Sequence, residues 1–314
     1  MSGSEVRTVG FIGLGAMGGA LAANLLKGGA DLIVHDLNRA AAKPLLAGRA
    51  RWADSPAELA KQCHVVLLSL PMPADVETVC AGEGGLFQTM RPGTVCFDMS
   101  TNALATLRRL HGLAAAQDVQ FLYAPVSGGA AGAAAGKLVI WVGGDRATFD
   151  AHRALLGTMG DLVQHMGELG GATVAKLTIN LTAAGIGCLL SESLTLAVKG
   201  GLDPLDFWQA LRASALGRRN TFDSLGDRFL AGDTDRPAFA LRLAHKDATL
   251  ASDMARTLGV PLRMADLALA ELTEAMARGW GGKDIWAAMN LQPERAGVDV
   301  TIAPDRLRAA LAEN

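Results

Sequence analysis

The 314-residue chain reads as a mostly parallel, doubly wound α/β sheet followed by an all-helical second domain. Three observations predict this. Up to about residue 166, short apolar runs alternate with amphipathic stretches, as in a parallel sheet covered by helices on both faces. The segment from Val6 to Gly19 sets Gly13, Gly15 and Gly18 between a strand-like run and an Ala/Leu-rich helical one. Beyond Gly170 no β-branched runs bounded by turns remain, and long Ala/Leu-rich patterns take over. The length suits two domains, with the expected division at 1–166 and 167–314.

Taken in order, the expected strands are Thr8–Ile12, Leu32–Asp36, His64–Leu70, Thr94–Met99, Val119–Tyr123, Leu138–Val142 and Leu162–Met166. Pro71, Pro73, Pro92 and Pro125 fall at their ends, where a missing N–H does least harm. Helices are expected over Ala16–Lys27, stopped by Gly28-Gly29, and over Ala103–Gln117, with Ser100 as a candidate N-cap. The Ala/Gly tract Gly128–Gly136 reads as a packed, tightly turning segment. Ala172 to Lys199 predicts a helix of about 42 Å, closed by Gly200-Gly201 and long enough to pass between domains. Further helices are expected over Pro204–Ala213, Leu241–Leu258, Met264–Ala277 and Asp305–Ala312, with Gly259-Val260-Pro261 and Gly279–Gly282 as breaks.

Composition narrows the function classes. A net charge of −2 with no basic run argues against nucleic acid as a partner. Cys63, Cys80, Cys96 and Cys188 show no C-x-x-C spacing and lie in apolar contexts, which predicts buried thiols of a reducing compartment and no metal site. The start MSGSEVR lacks a charged-then-apolar leader pattern, and the uncharged stretch between Lys176 and Glu192 is too short to span a bilayer. A cytoplasmic protein with no membrane partner is the expectation.

The glycines carry the first chemistry. In the order strand, turn, helix, Gly13 permits the tight turn, Gly15 the close approach of a pyrophosphate and Gly18 helix–strand packing, which is the Rossmann-type dinucleotide fingerprint. Leu14, Ala16 and Met17 complete that turn, where the phosphates would meet the helix N-terminus. Asp36, at the end of the second strand, holds the position of a ribose-binding carboxylate and favours NAD. Asn38 and Arg39 follow. Arg39 is either a solvated first-turn residue or a partner for a 2′-phosphate, so NADP stays open.

Ligands of such sheets lie beyond the carboxyl ends of the strands. There the chain places Leu70-Pro71-Met72-Pro73, Ser100-Thr101-Asn102 and Pro125-Val126-Ser127-Gly128-Gly129. Hydroxyls and open backbone N–H groups suit a ribose and a small carboxylate, although Ser127–Gly129 also reads as a plain turn. Lys176 and Asn180 share one face of the long helix at i,i+4 spacing. Desolvation favours a neutral amine suited to proton transfer. A lysine alone on a helix also reads as a snorkelling side chain.

The ordered set GFIGLGAMG, Leu70-Pro71, DMST at Asp98–Thr101, APVSGG at Ala124–Gly129, KLxxN at Lys176–Asn180 and Lys246-Asp247 resembles the β-hydroxyacid dehydrogenase family over nearly the whole chain. The resemblance implies that Ser127, Gly128 and Gly129 hold a substrate carboxylate, that Asn180 orients the substrate and that Lys176 is the general acid/base. It further implies that Leu70, Pro71, Thr101 and Lys246 face the cofactor, and that the C-terminal helices make a homodimer or homotetramer. The expected activity is NAD(P)-dependent interconversion of a small 3-hydroxy acid and its semialdehyde.

The chain also departs from the family pattern. Tyr123 stands where most relatives carry an acidic residue, at the edge of the substrate-binding set. Lys137 stands in GKL in place of the usual GTL, and Arg218-Arg219 offers either an anion clamp or a solvent-facing basic turn. Two other readings are an imine or ketone reductase of the same fold, against which Lys176 argues, and a non-catalytic dinucleotide-binding protein, against which the retained Ser127, Lys176 and Asn180 argue.

Overall fold

A computed structural model describes residues 8–199, 201–214, 225–257 and 263–312, in two compact units, Met1–Thr178 and Ile179–Asn314. The first unit runs β1 (Thr8–Ile12), α1 (Ala16–Lys27), β2 (Asp31–His35), α2 (Lys43–Ala47), β3 (Arg51–Trp52), α3 (Pro56–Gln62), β4 (Val65–Leu68), α4 (Pro73–Ala81), β5 (Val95–Asp98), α5 (Leu104–Ala115) and β6 (Gln120–Tyr123). It continues through β7 (Val126–Ser127), α6 (Gly129–Ala135), β8 (Val139–Val142), α7 (Arg146–Leu156), β9 (Leu162–His165) and the start of α8 (Leu169–Lys199).

The strands β1 to β6 form one parallel sheet in the order β3-β2-β1-β4-β5-β6. Its strands are apolar at nearly every position because both faces are covered. The period of two sorts them: Val9, Phe11, Leu32, Val34, Leu67 and Phe97 enter one apolar cluster, whereas Ile12, Ile33, Val66, Leu68, Cys96 and Tyr123 enter the other. The order reverses at β1 and β4, and the open crevice of such a sheet lies at that switch point.

Two expectations are corrected here. Leu138–Val142 and Leu162–Met166 do not extend the main sheet: β8 and β9 pair in parallel, and β8 takes β7 as an antiparallel neighbour in a separate three-stranded sheet. Pro125, lacking an N–H, interrupts the chain after β6, and the reversal is closed by mutual hydrogen bonds between Tyr123 and Gly143 and by Trp141 N–H to Pro125 O. Ser100 does not cap α5 either. Its N-cap is Ala103, and the Ser100 hydroxyl instead accepts the N–H of Leu70 at 2.9 Å. The two-residue strands β3 and β7 are too short to leave a periodic signal.

The Ala/Gly tract folds into α6, which packs on α1: Asn24 Nδ2 donates to Ala133 O at 2.6 Å, and Gly136 ends the helix in the left-handed region. Lys137 is exposed. The second unit contains α9 (Pro204–Ala213), α10 (Leu241–Thr257), α11 (Arg263–Ala277), α12 (Leu291–Ala296) and α13 (Pro304–Ala312). Among its described residues the isolated bridge Ala240–Asp284 is the only β pairing. One apolar cluster gathers Leu194, Trp208, Phe229 and Ile302, and a second Leu241, Leu272 and Leu291. No helix among the described residues is long and apolar enough to cross a membrane. Gly200, Gly259-Val260-Pro261 and Arg218-Arg219 lie outside the described residues.

Candidate active site

The turn from β1 into α1 needs its glycines for separate physical reasons. Gly13 has φ 92° and donates to His35 O, and a Cβ there would stand 2.2 Å from Ser69 O. A Cβ on Gly18 would meet Gly13 O at 1.9 Å and the Phe11 ring at 3.1 Å, so this glycine lets the helix sit on β1. A Cβ on Gly15 would meet nothing within 4 Å, which leaves the N-terminus of α1 open to an approaching anion. Leu14 turns its side chain into the core and contributes through its backbone; Ala16 is exposed and Met17 half-buried beside it.

Asp36 ties this turn to the next strand. Its carboxylate accepts the N–H of Leu14 at 2.6 Å and that of Asn38 at 2.7 Å, which fixes both oxygens at the carboxyl end of β2. Asn38 caps the following 3-10 turn by accepting from Ala40 N at 3.1 Å. Arg39 lies over the Trp52 ring, 5.2 Å from its centroid, and 3.5 Å from Asp54 Oδ1. An exposed pair of that kind holds the guanidinium weakly.

At the ends of β4 and β5 a buried network shapes the crevice. Ser100 N–H and Asn102 Nδ2 both donate to the Asp98 carboxylate, at 2.9 and 2.8 Å, while Ser100 Oγ fixes Leu70. Leu70 in turn lies beside Gly13, its Cδ2 2.9 Å from where a Cβ would be. Pro71 and Met72 are exposed, Thr101 is half-buried, and Met72 N–H bonds Asp75 in the first turn of α4. Tyr123 is fully buried, and its hydroxyl accepts the N–H of Asn102 at 3.2 Å. Its side chain therefore acts on the loop behind the crevice, and any effect on a substrate passes through Asn102 and its neighbours.

Ser127, half-buried at the end of β7, leads into Gly128 and Gly129, both exposed and at φ 130° and 63°. Their positive φ values turn the chain sharply into α6 and leave backbone N–H groups at its start.

Lys176 and Asn180 are both half-buried and lie one turn apart on α8. In the second unit, Asn180 Nδ2 donates a hydrogen bond to Asp247 Oδ2. Asp247 Oδ1 faces Lys246 Nζ at 2.9 Å, without an aligned hydrogen bond, and the two side chains are 4% and 9% exposed. Asp247 is the buried partner of Asn180 that sequence reading named only as part of a motif. The signal was available: Leu241, Ala244, Ala248 and Ala251 mark the buried face of α10, and position 247 falls on it. A carboxylate buried there requires a partner.

Asn180 and Asp247 also line a cavity of about 250 Å³ enclosed by α8, α10, α11 and the 3-10 segment Ile285–Asn290. Cys188 lies on its wall and is partly exposed, unlike the buried Cys63, Cys80 and Cys96, which corrects the expectation of four buried thiols.

The NAD binding domain of 6-phosphogluconate dehydrogenase matches residues 8–167, and the domain described as NAD-binding of NADP-dependent 3-hydroxyisobutyrate dehydrogenase matches residues 170–292. The chain is 38% identical to a probable mitochondrial 3-hydroxyisobutyrate dehydrogenase of Dictyostelium discoideum, over 90% of both chains. It is 33% identical to the 2-(hydroxymethyl)glutarate dehydrogenase of Eubacterium barkeri, over 93% of this chain and 97% of that one. A solved 3-hydroxyisobutyrate dehydrogenase from Salmonella typhimurium superposes with a TM-score of 0.83 at 28% identity, covering 91% of this chain and 99% of that one. With a dinucleotide turn in the first unit, an ordered Lys-Asn helix and relatives matched along nearly their full length, the chain belongs to the β-hydroxyacid dehydrogenase family of NAD(P)-dependent oxidoreductases.

Proposed function

We propose that the chain interconverts a small 3-hydroxy acid and its semialdehyde, with NAD preferred over NADP and Lys176 as general acid/base. The observation that carries this reading is the α8 helix, which presents Lys176 and Asn180 one turn apart with Asn180 already held by a buried carboxylate. The first unit fits a dinucleotide: the open space at Gly15 and the pinned carboxylate of Asp36 are what a pyrophosphate and a ribose require.

When bound, the nicotinamide supplies or accepts the hydride. In oxidation Lys176, as a neutral amine, removes the substrate hydroxyl proton. In reduction its ammonium returns a proton to the developing alkoxide. Asn180 orients the reacting carbon, and Ser127 with the N–H groups of Gly128 and Gly129 holds the carboxylate. Gly13, Gly15, Gly18, Leu70, Pro71, Thr101 and Lys246 are assigned to the cofactor. Asp36 supports NAD by occupying the ribose end with a negative charge that repels a 2′-phosphate.

A panel followed at 340 nm tests the proposal, with NAD and NADP each run against 3-hydroxyisobutyrate, 3-hydroxypropionate, serine, glycerate and succinic semialdehyde. Turnover of at least one hydroxy acid with NAD is expected. Reduction of a cyclic imine in the absence of any hydroxy-acid turnover would replace this reading with the imine reductase one. A homodimer or homotetramer is part of the same proposal, and light scattering on the purified protein measures it.

A further inference from the structure

The long helix presents only small side chains to the cavity. Asn180, Ala183, Ala184, Gly187, Cys188 and Ser191 follow one another at helical spacing along its wall. Phe239, Leu272, Ile285, Trp286 and Met289 supply most of the apolar remainder, so the space exists because α8 carries no bulk where its neighbours stand back. At about 250 Å³ it falls just below the roughly 300–1,000 Å³ of pockets that take whole ligands, which is the scale of a substituent.

Its charges are of one sign. Asp247 and Glu271 reach the wall, and among the described lining residues there is no Lys or Arg. Glu271 is engaged by Arg295 at 2.7 and 2.8 Å, and Asp247 by Lys246 and Asn180. Both carboxylates already carry partners and the described wall offers no cation of its own to an anionic tail, whereas an uncharged apolar tail would displace water from an apolar wall.

We propose that this cavity receives an uncharged apolar substituent on the substrate carbon that bears the carboxylate. The preferred substrates are then 2-alkyl or 2-aryl 3-hydroxy acids larger than the 2-methyl compound, and dicarboxylates are disfavoured. The proposal rests on the assignment of Asn180 as the substrate-orienting residue, since Asn180 forms one edge of the cavity.

The test compares kcat/KM with NAD for 3-hydroxypropionate, 2-butyl-3-hydroxypropionate and 2-(hydroxymethyl)glutarate. The butyl compound is expected to exceed the unsubstituted acid at least tenfold, and Ala184→Leu, which fills the cavity, to reduce that ratio at least tenfold. A ratio changed less than twofold by the substitution, or a preference for the dicarboxylate, would overturn the proposal. Because Ala184→Leu can disturb folding, a second measurement uses the unsubstituted protein. Alkylation of Cys188 by N-ethylmaleimide, read by mass spectrometry, is expected to slow at least fivefold with saturating 2-butyl-3-hydroxypropionate and not with 3-hydroxypropionate. Equal labelling rates would overturn the cavity assignment. Protection of Cys188 without turnover of any hydroxy acid would retain the cavity and sink the proposed activity instead.

Discussion

Asn180 on the long helix donates its side-chain N–H to Asp247, 67 positions further along the chain. That bond fixes which end of the amide faces the carboxylate, leaving the amide oxygen to the opposite side. Asp247 in turn faces the ammonium of Lys246, so one buried carboxylate positions two residues assigned to the site. Asp247→Asn is expected to lower kcat by about 10²-fold, the cost of misplacing a substrate-orienting group, with a smaller change in cofactor KM. Asp247→Ala, which strips a buried ammonium of its carboxylate, is expected to cost about 3–5 kcal/mol in urea unfolding. Unchanged kcat in the Asn variant would remove the positioning role.

Lys176→Ala is expected to lower kcat by about 10²–10⁴-fold, the usual worth of a general acid/base. Cofactor affinity, measured by fluorescence titration, should stay within about twofold. Turnover near that of the unsubstituted protein would take Lys176 out of the mechanism.

Asp36 joins the glycine turn to the ribose end of the proposed cofactor site through its bonds to Leu14 and Asn38. Asp36→Ala should therefore weaken NAD through both the lost ribose acceptor and the loosened turn, and should move the NAD:NADP ratio of kcat/KM at least tenfold toward NADP. Arg39→Ala is expected to leave NAD use nearly unchanged. A large loss with NADP in that variant would assign Arg39 to a 2′-phosphate.

Burial pushes the Cys63 thiol up to about 12 from 9.0, and Arg51 beside it offsets this only in part. The folded state thus keeps a proton that the unfolded chain releases. Its contribution is whole below pH 9 and is lost as the pH rises to about 12, at about 1.4 kcal/mol per pH unit. Cys80, fully buried, is shifted upward chiefly by the same desolvation. Denaturant midpoints are expected to fall across this alkaline range, and Cys63→Ala should flatten the slope. An identical pH dependence in that variant would exclude Cys63 as the cause.

Much of the fold was legible because its signals are local. β1, α1 and α9 fall where the apolar period and the Gly and Pro stops put them, α10 begins where expected, and α13 begins one residue earlier than expected. β3 and β7 escaped because two residues carry no period, and the second sheet escaped because only the reversal at Pro125 decides which neighbour β8 takes. In the candidate site, the glycines, Asp36, Ser127 and Lys176 stood out by residue type and spacing. Ser100 was left with two uses, as a helix cap or as a strand-end hydroxyl, and the structure gives the cap position to Ala103. The bond to Leu70 that occupies the Ser100 hydroxyl comes from the loop after β4, 30 residues away.

The sequence by itself determined the doubly wound first unit, the helical second unit and the dinucleotide turn. Those follow from the period of apolar residues and from backbone conformations that only glycine takes readily. Tertiary structure alone decided that Tyr123 is buried behind the loop it holds, that Asp247 positions Asn180, and that small residues on α8 leave a cavity beside it. Burial and partnership depend on which distant segments arrive at one place. A side chain's type fixes what it can bond, and only the packed chain fixes what lies within reach.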